Sequence, residues 1–302
     1  MIGALTPPLA VGLAVAALSG AIAVQSARDN SYPREDSDRT RVLYVRSPAM
    51  MQRVTFGFQA LSADVYWIRA LQHYGGDRLQ KQPHPAGRKY ELLYPLLDIA
   101  TSLDPYFSIA YRFGAIFLGE PYPGGAGRPD LAVALLRKGI AAAPTRWQYY
   151  HDIAFVYYWR VRDYKSAALW FQRAAEQPGA PNWLPSVAAS MLTRTEDRAT
   201  ARLMWQQLLR SEQVWIRRTA ERSLLQLQAL EQIDRLQAAV AAAGPSPAGG
   251  YSWSAMVARG RVAGVPLDPA QTPYEIDPLT GRVRVSRQSP LFPMPDTSER
   301  PQ

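Results

Sequence analysis

A short pattern of residues recurs four times along the chain and constrains its fold more strongly than any other feature. Each copy has small or apolar residues at positions x, x+4 and x+7, which lie on one face of an α-helix. The copies begin 39, 35 and 34 residues apart, a period typical of stacked helical units. We therefore predict an all-α, solenoid-like body over residues 47–242. The four copies are Leu93-Leu97-Ala100, Ala132-Leu136-Gly139, Ala167-Phe171-Ala174 and Ala201-Trp205-Leu208.

A second pattern precedes three of these copies and predicts a partner helix for each. It places a small residue between large ones, so that two helices can cross closely at that point. In the third unit it assigns Tyr150 and Tyr157 to the core. Pro105 and Pro144 end two of the units, because proline cannot continue a helix. The three copies are Tyr111-x2-Gly114-Ala115-x2-Leu118, Tyr150-x2-Ile153-Ala154-x2-Tyr157 and Leu184-x2-Val187-Ala188-x2-Met191.

Paired helices with these motifs resemble the tetratricopeptide repeat (TPR) family over residues 58–210. The resemblance is strongest in the third unit, where Arg162-Asp163-Tyr164 supplies the turn between two helices. It is weakest in the first unit, where Gly76 to Arg88 would be an inserted loop. The resemblance implies a TPR-like helical-hairpin solenoid whose concave face binds partner proteins. Residues 212–242 would form one long helix, or a final pair, that caps the open end.

The first 24 residues carry no charged side chain. As a helix they would span about 36 Å, enough to cross the hydrocarbon core of a bilayer. We therefore predict an N-terminal transmembrane helix over residues 1–25, followed by a polar linker over residues 26–46. A cleaved signal peptide is the alternative, because Ala21-Ile22-Ala23 fits a small-residue cleavage site. Against it, no Lys or Arg precedes the apolar stretch.

The same segment bears on membrane packing and orientation. Gly12, Ala16 and Gly20 recur every four residues, and such a small-residue face lets another transmembrane helix approach closely. Four arginines between residues 28 and 41 follow the segment, which by the positive-inside rule favours a cytoplasmic body. A short N-terminal tail before one apolar helix and a large body commonly exports the body instead. We expect a single-pass protein of the bacterial inner membrane with a periplasmic body, and the cytoplasmic alternative stays open.

The C-terminal region, residues 243–302, combines a Gly/Pro-rich linker, a small β-hairpin and a tail. Apolar and polar residues alternate on both sides of a turn at which Gly281 can adopt a positive φ. A two-stranded hairpin is marginal alone, so we expect it to pack on the helical body or on a partner. The proline-rich tail from Ser289 is expected to be mobile. The stretch Asp268–Tyr274 faintly resembles the C-terminal part of type II secretion pseudopilins.

The composition argues against a catalytic or metal-binding protein. The chain has no cysteine, and none of its three histidines lies four residues from another, so no helix-face metal pair exists. It also lacks a phosphate-binding glycine loop and a serine elbow. We therefore expect no enzyme activity, cofactor, metal site or small-molecule substrate. The net charge is +9, but acidic residues accompany the basic ones, and no specific nucleic-acid partner is expected.

The TPR resemblance also selects candidate partner-binding residues. In that family, the face of each leading helix that points away from the core lines a concave groove. Asp152 follows His151, but adjacent residues on a helix do not face each other, so we expect no catalytic pair there. Transferred to the second and third units, this face gives seven residues, called here the predicted groove residues: Ile109, Arg112, Ile116, Gln148, His151, Phe155 and Tyr158.

The composition of this face indicates the kind of partner. Members of the family whose groove binds acidic chaperone tails need clustered Lys and Asn side chains. This chain has only 4 Lys and 2 Asn, which argues against such a partner. A hydrophobic or mixed segment of a protein partner fits better. The sequence therefore predicts a non-catalytic, membrane-anchored interaction scaffold or assembly subunit of a bacterial membrane complex. The alternative is an exported soluble TPR binding module, in the service of a secretion or pilus-type system.

Overall fold

The computed structural model describes residues 16–24, 26–27, 48–79, 89–247 and 249–295. This part of the chain is all-α apart from one two-stranded hairpin. The chain divides into two compact units, Met1–Leu103 and Asp104–Gln302, and the boundary falls inside the predicted repeat body. The helices of the first unit from Pro48 onward are α1 (Pro48–Val54), α2 (Gln59–Leu79) and α3 (Leu93–Leu103). The helices of the second unit are α4 (Ser108–Gly119), α5 (Pro129–Ala142), α6 (Trp147–Val156), α7 (Tyr164–Ala175), α8 (Leu184–Thr193), α9 (Arg198–Leu208), α10 (Val214–Ala243) and α11 (Trp253–Ala258), with strands β1 (Glu275–Ile276) and β2 (Val283–Arg284).

In the first unit, α2 packs against α3 through one face of regularly spaced residues. Ala63, Tyr66, Ala70 and Tyr74 recur every three or four residues and are all buried. The expected loop from Gly76 onward begins later, because α2 continues to Leu79. Residues 80–88 of that loop lie outside the described residues.

Two buried polar side chains on α2 hold the backbone of the residues just before α3. The Asp77 carboxylate accepts a hydrogen bond from the backbone N–H of Tyr90 at 2.5 Å. The His73 Nε2 accepts one from the backbone N–H of Leu92 at 3.2 Å. Each thereby satisfies a backbone donor, and this explains why two polar residues occupy the core-facing side of α2.

In the second unit, helices from α4 to α10 pack on their neighbours in chain order. The repeated x, x+4, x+7 residues supply the packing faces, as the sequence predicts. Counting the first copy, which lies on α3 of the first unit, only Leu208 of the twelve residues in the four copies is not buried. The long stretch after α9 forms one continuous helix, α10, rather than a final pair.

Three successive helices of this unit meet at Gly139 on α5. A Cβ atom there would lie 3.1 Å from Cδ1 of Tyr111 on α4 and 3.1 Å from Cε2 of Tyr149 on α6. The two tyrosine rings contact each other, with centroids 5.4 Å apart, and both are fully buried. The core tyrosine of α6 is therefore Tyr149, and the assignment of Tyr150 to the core is wrong by one residue.

The end of α6 departs from regular α-helical geometry. Residues Tyr157–Val161 form a π-helical turn, and Arg162 follows in the left-handed region with φ of 62°. The Asp163 carboxylate then caps α7 by accepting from the backbone N–H of Ser166 at 2.9 Å. Because a π turn inserts an extra residue, it rotates the side chains that follow it. Tyr157, the first residue of this turn, is only half-buried, so its assignment to the core by the repeat pattern is wrong.

The C-terminal hairpin packs on α10, as one of the two sequence-based alternatives expects. Ile276 pairs with Val283, and Gly281 has a φ of 68° in the turn. The side chain of Gln237 on α10 accepts from the backbone N–H of Val283 at 2.9 Å and donates to the carbonyl of Gly281 at 3.0 Å. A glutamine on the helix thus completes the hydrogen bonds of the hairpin, which is too short to be stable alone.

Residues from Ser289, expected as a mobile tail, instead pack on the same helix as far as they are described. Leu291 is buried, and the Gln226 side chain donates to the carbonyls of Leu291 and Pro293 at 2.8 and 3.0 Å. Local sequence patterns do not indicate this packing, because the partner residue Gln226 lies 65 positions away. Residues 296–302 lie outside the described residues.

The structure bears only in part on the predicted membrane helix. Residues 16–24 and 26–27 are helical, and Ala16 and Gly20 are exposed. Gly12 and most of the linker over residues 26–46 lie outside the described residues. Within the ranges that the structure covers, we find no helix with both the length and the apolar character needed to span a bilayer.

The contact at Gly139 predicts that Gly139→Ala lowers stability by about 1 kcal/mol. Overpacking against two rigid rings costs about 1–3 kcal/mol, which outweighs the gain of up to about 1 kcal/mol in helix propensity. The control is Gly76→Ala on α2, where an added Cβ meets nothing within 4 Å. That change should raise stability by about 0.5–1 kcal/mol. Urea denaturation measures both, and a stabilised Gly139→Ala would contradict the close crossing.

Candidate partner-binding face

An ion pair joins the outward faces of α4 and α6. The Arg112 guanidinium donates from Nε to Oδ2 of Asp152 at 2.5 Å and from a terminal nitrogen to Oδ1 at 3.2 Å. This hydrogen bonding, together with the carboxylate charge, holds the pKa of Arg112 above its ordinary value, although partial burial opposes the shift. The Arg112 side chain is 44% exposed, so the pair stabilises the fold by about 1 kcal/mol or less. Its main effect is geometric, since a bidentate contact fixes the two helices in register.

The same carboxylate also orients His151. The His151 Nδ1 lies 3.0 Å from Oδ1 of Asp152, so a proton on Nδ1 is donated to the carboxylate. The expectation that these neighbours do not face each other is wrong, because both side chains bend toward a shared position on the helix surface. Asp152 therefore accepts hydrogen bonds from two predicted groove residues, Arg112 and His151, and sequence analysis did not select it.

Four aromatic rings surround the His151 imidazole. Trp147, Phe171 and Trp183 meet it edge-on, with centroids 5.9, 5.6 and 5.9 Å away. Phe155 stacks on it at 6.4 Å, one helical turn further along α6. The rings come from α6, α7 and the residue before α8, so they hold three parts of the unit around one histidine.

The aromatic surface continues from Phe155 onto the π-helical turn. Phe155 stacks on Trp159 at 6.3 Å with an angle of 13° between the ring planes, and it meets Tyr158 at 6.2 Å. Arginines lie over the outer rings: Arg162 is 5.6 Å from the centre of Trp159, and Arg194 is 5.9 Å from that of Tyr158. We call the seven connected rings the aromatic cluster: Trp147, His151, Phe155, Tyr158, Trp159, Phe171 and Trp183.

Much of this cluster remains accessible to solvent. Phe155 is 47% exposed, Trp159 46% and Trp183 37%. On α4, Ile109 and Ile116 flank Arg112 and are 51% and 53% exposed. Large apolar side chains that stay exposed next to one another are characteristic of interaction surfaces.

The predicted groove residues are therefore only partly connected. Contacts join Arg112, His151, Phe155 and Tyr158 into one network through Asp152 and the rings. The other three share the same helices, but none of them takes part in the ring contacts or ion pairs of the described chain: Ile109, Ile116 and Gln148.

Trp183 is the most informative residue that sequence analysis missed. Phe107, Trp147 and Trp183 each stand at the beginning of a helix, and they are spaced 40 and 36 residues apart. This recurrence of an aromatic residue at the repeat period was a usable signal. Phe171 was assigned to the core, and it is indeed buried, but one edge of its ring also contacts His151.

Tyr149 lies on the core side of α6, behind the ion pair. Its hydroxyl group is buried and has no hydrogen-bond partner among the described residues. Burial raises its pKa above the ordinary value, while the nearby Arg146 and Arg112 oppose the shift. The Tyr149 ring fills the space at the helix crossing beside Gly139. Burial of its hydroxyl group without a hydrogen bond lowers the stability of the fold.

The side chains on this face can offer apolar and hydrogen-bonding contacts. Exposed rings offer flat apolar surface, and the arginines over them offer donors at its edge. Among the residues that the structure covers, no three His, Cys, Asp or Glu side chains form a group able to hold a metal ion.

Comparison of the chain with protein families, with curated proteins and with solved structures gave no match. The TPR resemblance therefore rests on the repeat pattern and remains a prediction.

The unpaired hydroxyl predicts that Tyr149→Phe raises stability by about 1 kcal/mol, because an unsatisfied buried hydroxyl costs about 1–3 kcal/mol. The matched control is the adjacent Tyr150→Phe, since the Tyr150 hydroxyl donates to the carbonyl of Pro144 at 2.7 Å. The control should lose about 0.5–1.5 kcal/mol. Thermal or urea unfolding distinguishes the two, and equal destabilisation by both variants would show that Tyr149 has a partner.

Proposed function

We propose that this protein is a non-catalytic protein-interaction scaffold, anchored in the bacterial inner membrane, that serves as an accessory or assembly subunit of a membrane complex. The observation that carries the proposal is the aromatic cluster. Its exposed rings Phe155 and Trp159 lie side by side at the end of α6, which the Arg112–Asp152 pair joins to α4. A surface that is both apolar and held in place loses little entropy when a partner covers it.

The chemistry of the face favours a protein segment with apolar or mixed side chains. Trp, Tyr and Arg dominate the residues that contribute most to binding at protein interfaces, and this face presents all three. Apolar side chains of the partner would pack between Phe155 and Trp159, while backbone carbonyls or carboxylates at the edge would accept from Arg194 and Arg162. We propose no nucleic-acid partner and no small-molecule substrate.

The fold class proposed for the helical body is a TPR-like helical-hairpin solenoid. Support comes from the burial of the repeated x, x+4, x+7 residues and from the packing of helices in chain order. In such an array each unit contacts its neighbours, and the leading helices present one continuous face. The ion pair between α4 and α6, two successive leading helices, fits this arrangement.

The membrane anchor is proposed from the 24 uncharged residues at the N-terminus, with the body on the periplasmic side. Extraction of host membranes with alkaline carbonate, with detection of the N-terminal peptide by mass spectrometry, tests this part. An anchored protein stays in the membrane pellet and retains residues 1–24. A soluble chain that begins near Val24 would instead indicate a cleaved signal peptide and an exported binding module.

The binding proposal predicts that the double substitution Phe155→Ala and Tyr158→Ala weakens partner binding by about 10- to 100-fold, the loss typical of removing central aromatic anchors. The measurement is quantitative pull-down from host membranes solubilised in mild detergent. Circular dichroism should show unchanged helix content, because Phe155 is 47% exposed.

The matched control for this experiment is Leu203→Ala on α9, which removes a 61% exposed apolar side chain outside the aromatic cluster. It should leave binding unchanged. Because Tyr158 is half-buried, its removal in the double variant also removes packing contacts. The single variant Phe155→Ala keeps those contacts, so any weaker binding that it shows comes from the binding face itself. Unchanged capture of every partner by the double variant would contradict the proposal.

A further inference from the structure

A second apolar surface lies on α2, in the first unit, and shares no residue with the aromatic cluster. Phe58 is 68% exposed, Leu61 61%, Val65 48%, Ile68 51% and Leu79 81%. Phe58 directly precedes α2, and its carbonyl already accepts a helical hydrogen bond from the backbone N–H of Ser62 at 3.0 Å. The exposed residues lie on the side of α2 opposite the buried face that packs on α3.

The exposed residues follow the spacing of a coiled-coil seam. From Phe58 to Leu79 the intervals alternate between three and four residues, through Gln72 and Gly75. This is the a and d pattern of three heptads, in which two helices interlock side chains along a common seam. A helix that packs only within its own unit needs one apolar face, and in α2 that is the buried face against α3. The exposed seam is a second apolar face on the opposite side.

The seam is open to a close approach by another helix. Gly75 occupies a d position, and a Cβ atom added there meets nothing within 4 Å. Gln72 at an a position is exposed as well. A polar residue at a single a position costs some stability but fixes the register of the paired helices.

The charges beside the seam indicate which helix would pair with it. In heptad terms Asp64 is a g residue, and Arg69, whose guanidinium carbon lies 5.4 Å from the centre of the Tyr66 ring, is the e residue five positions later. In a parallel pair of identical helices, g of one helix faces e of the other, so Asp64 of each copy would lie beside Arg69 of its partner. An antiparallel pair sets g against g and loses both contacts.

We propose that α2 pairs in parallel and in register with α2 of a second copy of this chain. The proposal is independent of the partner-binding face and of the membrane anchor. The seam supplies the apolar contact, Gln72 and the Asp64–Arg69 contacts supply register and direction, and the occupant is a second copy because the charge pattern is complementary to itself.

A cysteine-free chain allows a direct test by disulfide cross-linking. In a parallel in-register pair, Ile68 lies opposite its own copy, within the Cα separation of about 4.4–6.8 Å that a disulfide requires. Full-length protein carrying Ile68→Cys, in mild detergent with a gentle oxidant, should form a covalent dimer that reductant reverses. The control is Ala60→Cys, which is exposed on the same helix but outside the seam, and it should remain monomeric on the gel.

A second measurement keeps the test independent of cross-linking. Light scattering should give the unmodified chain twice its 33.6 kDa mass. The double variant Val65→Glu and Ile68→Glu should give the monomer mass with unchanged helix content, because both side chains are exposed.

Three results would overturn the proposal: a monomeric unmodified chain at about 100 µM, a dimer that survives both glutamates, or equal cross-linking by the two cysteine variants. If the unmodified chain is monomeric, two further measurements on Ile68→Cys identify what covers this face of α2 instead. A label on Ile68→Cys that is quenched by a lipid-soluble agent would show that a bilayer covers the face. A cross-link from Ile68→Cys to a different polypeptide would show that another protein covers it.

Discussion

The close crossing at Gly139 is the contact on which the second unit depends. Here α4, α5 and α6 come together so tightly that the rings of Tyr111 and Tyr149 occupy the space a side chain would fill. Small residues at such crossings let helix backbones approach, while large ones beside them fill the remaining space. Because Tyr149 points into this crossing, Asp152 and His151 on the same helix are directed outward. The ion pair to Arg112 and the ring contacts of His151 follow from that orientation.

The π-helical turn extends this arrangement into a broader surface. It ends α6 with Tyr158 and Trp159 beside Phe155, and the left-handed residue Arg162 then reverses the chain into α7. Irregular turns of this kind are often found at functional sites, and here the irregular segment carries two rings of the aromatic cluster. The buried Tyr149 hydroxyl, which has no hydrogen-bond partner among the described residues, and the exposed rings of α6 lie on opposite sides of one short helix.

Helical periodicity predicted the all-α class and the packing residues, because burial follows the 3.6-residue period directly. The two-residue alternation around Gly281 predicted the hairpin. Helical periodicity failed where geometry leaves that period. The repeat pattern assigns Tyr150 to the core in place of Tyr149, because the sequence does not show how α6 is rotated about its own axis where it packs on Gly139. Asp152 was set aside because sequence spacing does not show side-chain rotamers. Trp183 and the packing of Leu291 on α10 depend on contacts distant in sequence, which local patterns do not report.

The most direct test of the account is site-specific photo-cross-linking of the full-length protein in its own host. A photoreactive amino acid replaces Phe155 on α6, Ile109 on α4 or, as a control, Leu203 on α9. The account predicts that positions 155 and 109 give light-dependent adducts with the same membrane-complex protein, because one partner would cover both helices, and that position 203 gives none. Adducts with different proteins at 155 and 109, equal adducts at 203, or no adduct at either predicted position would contradict it.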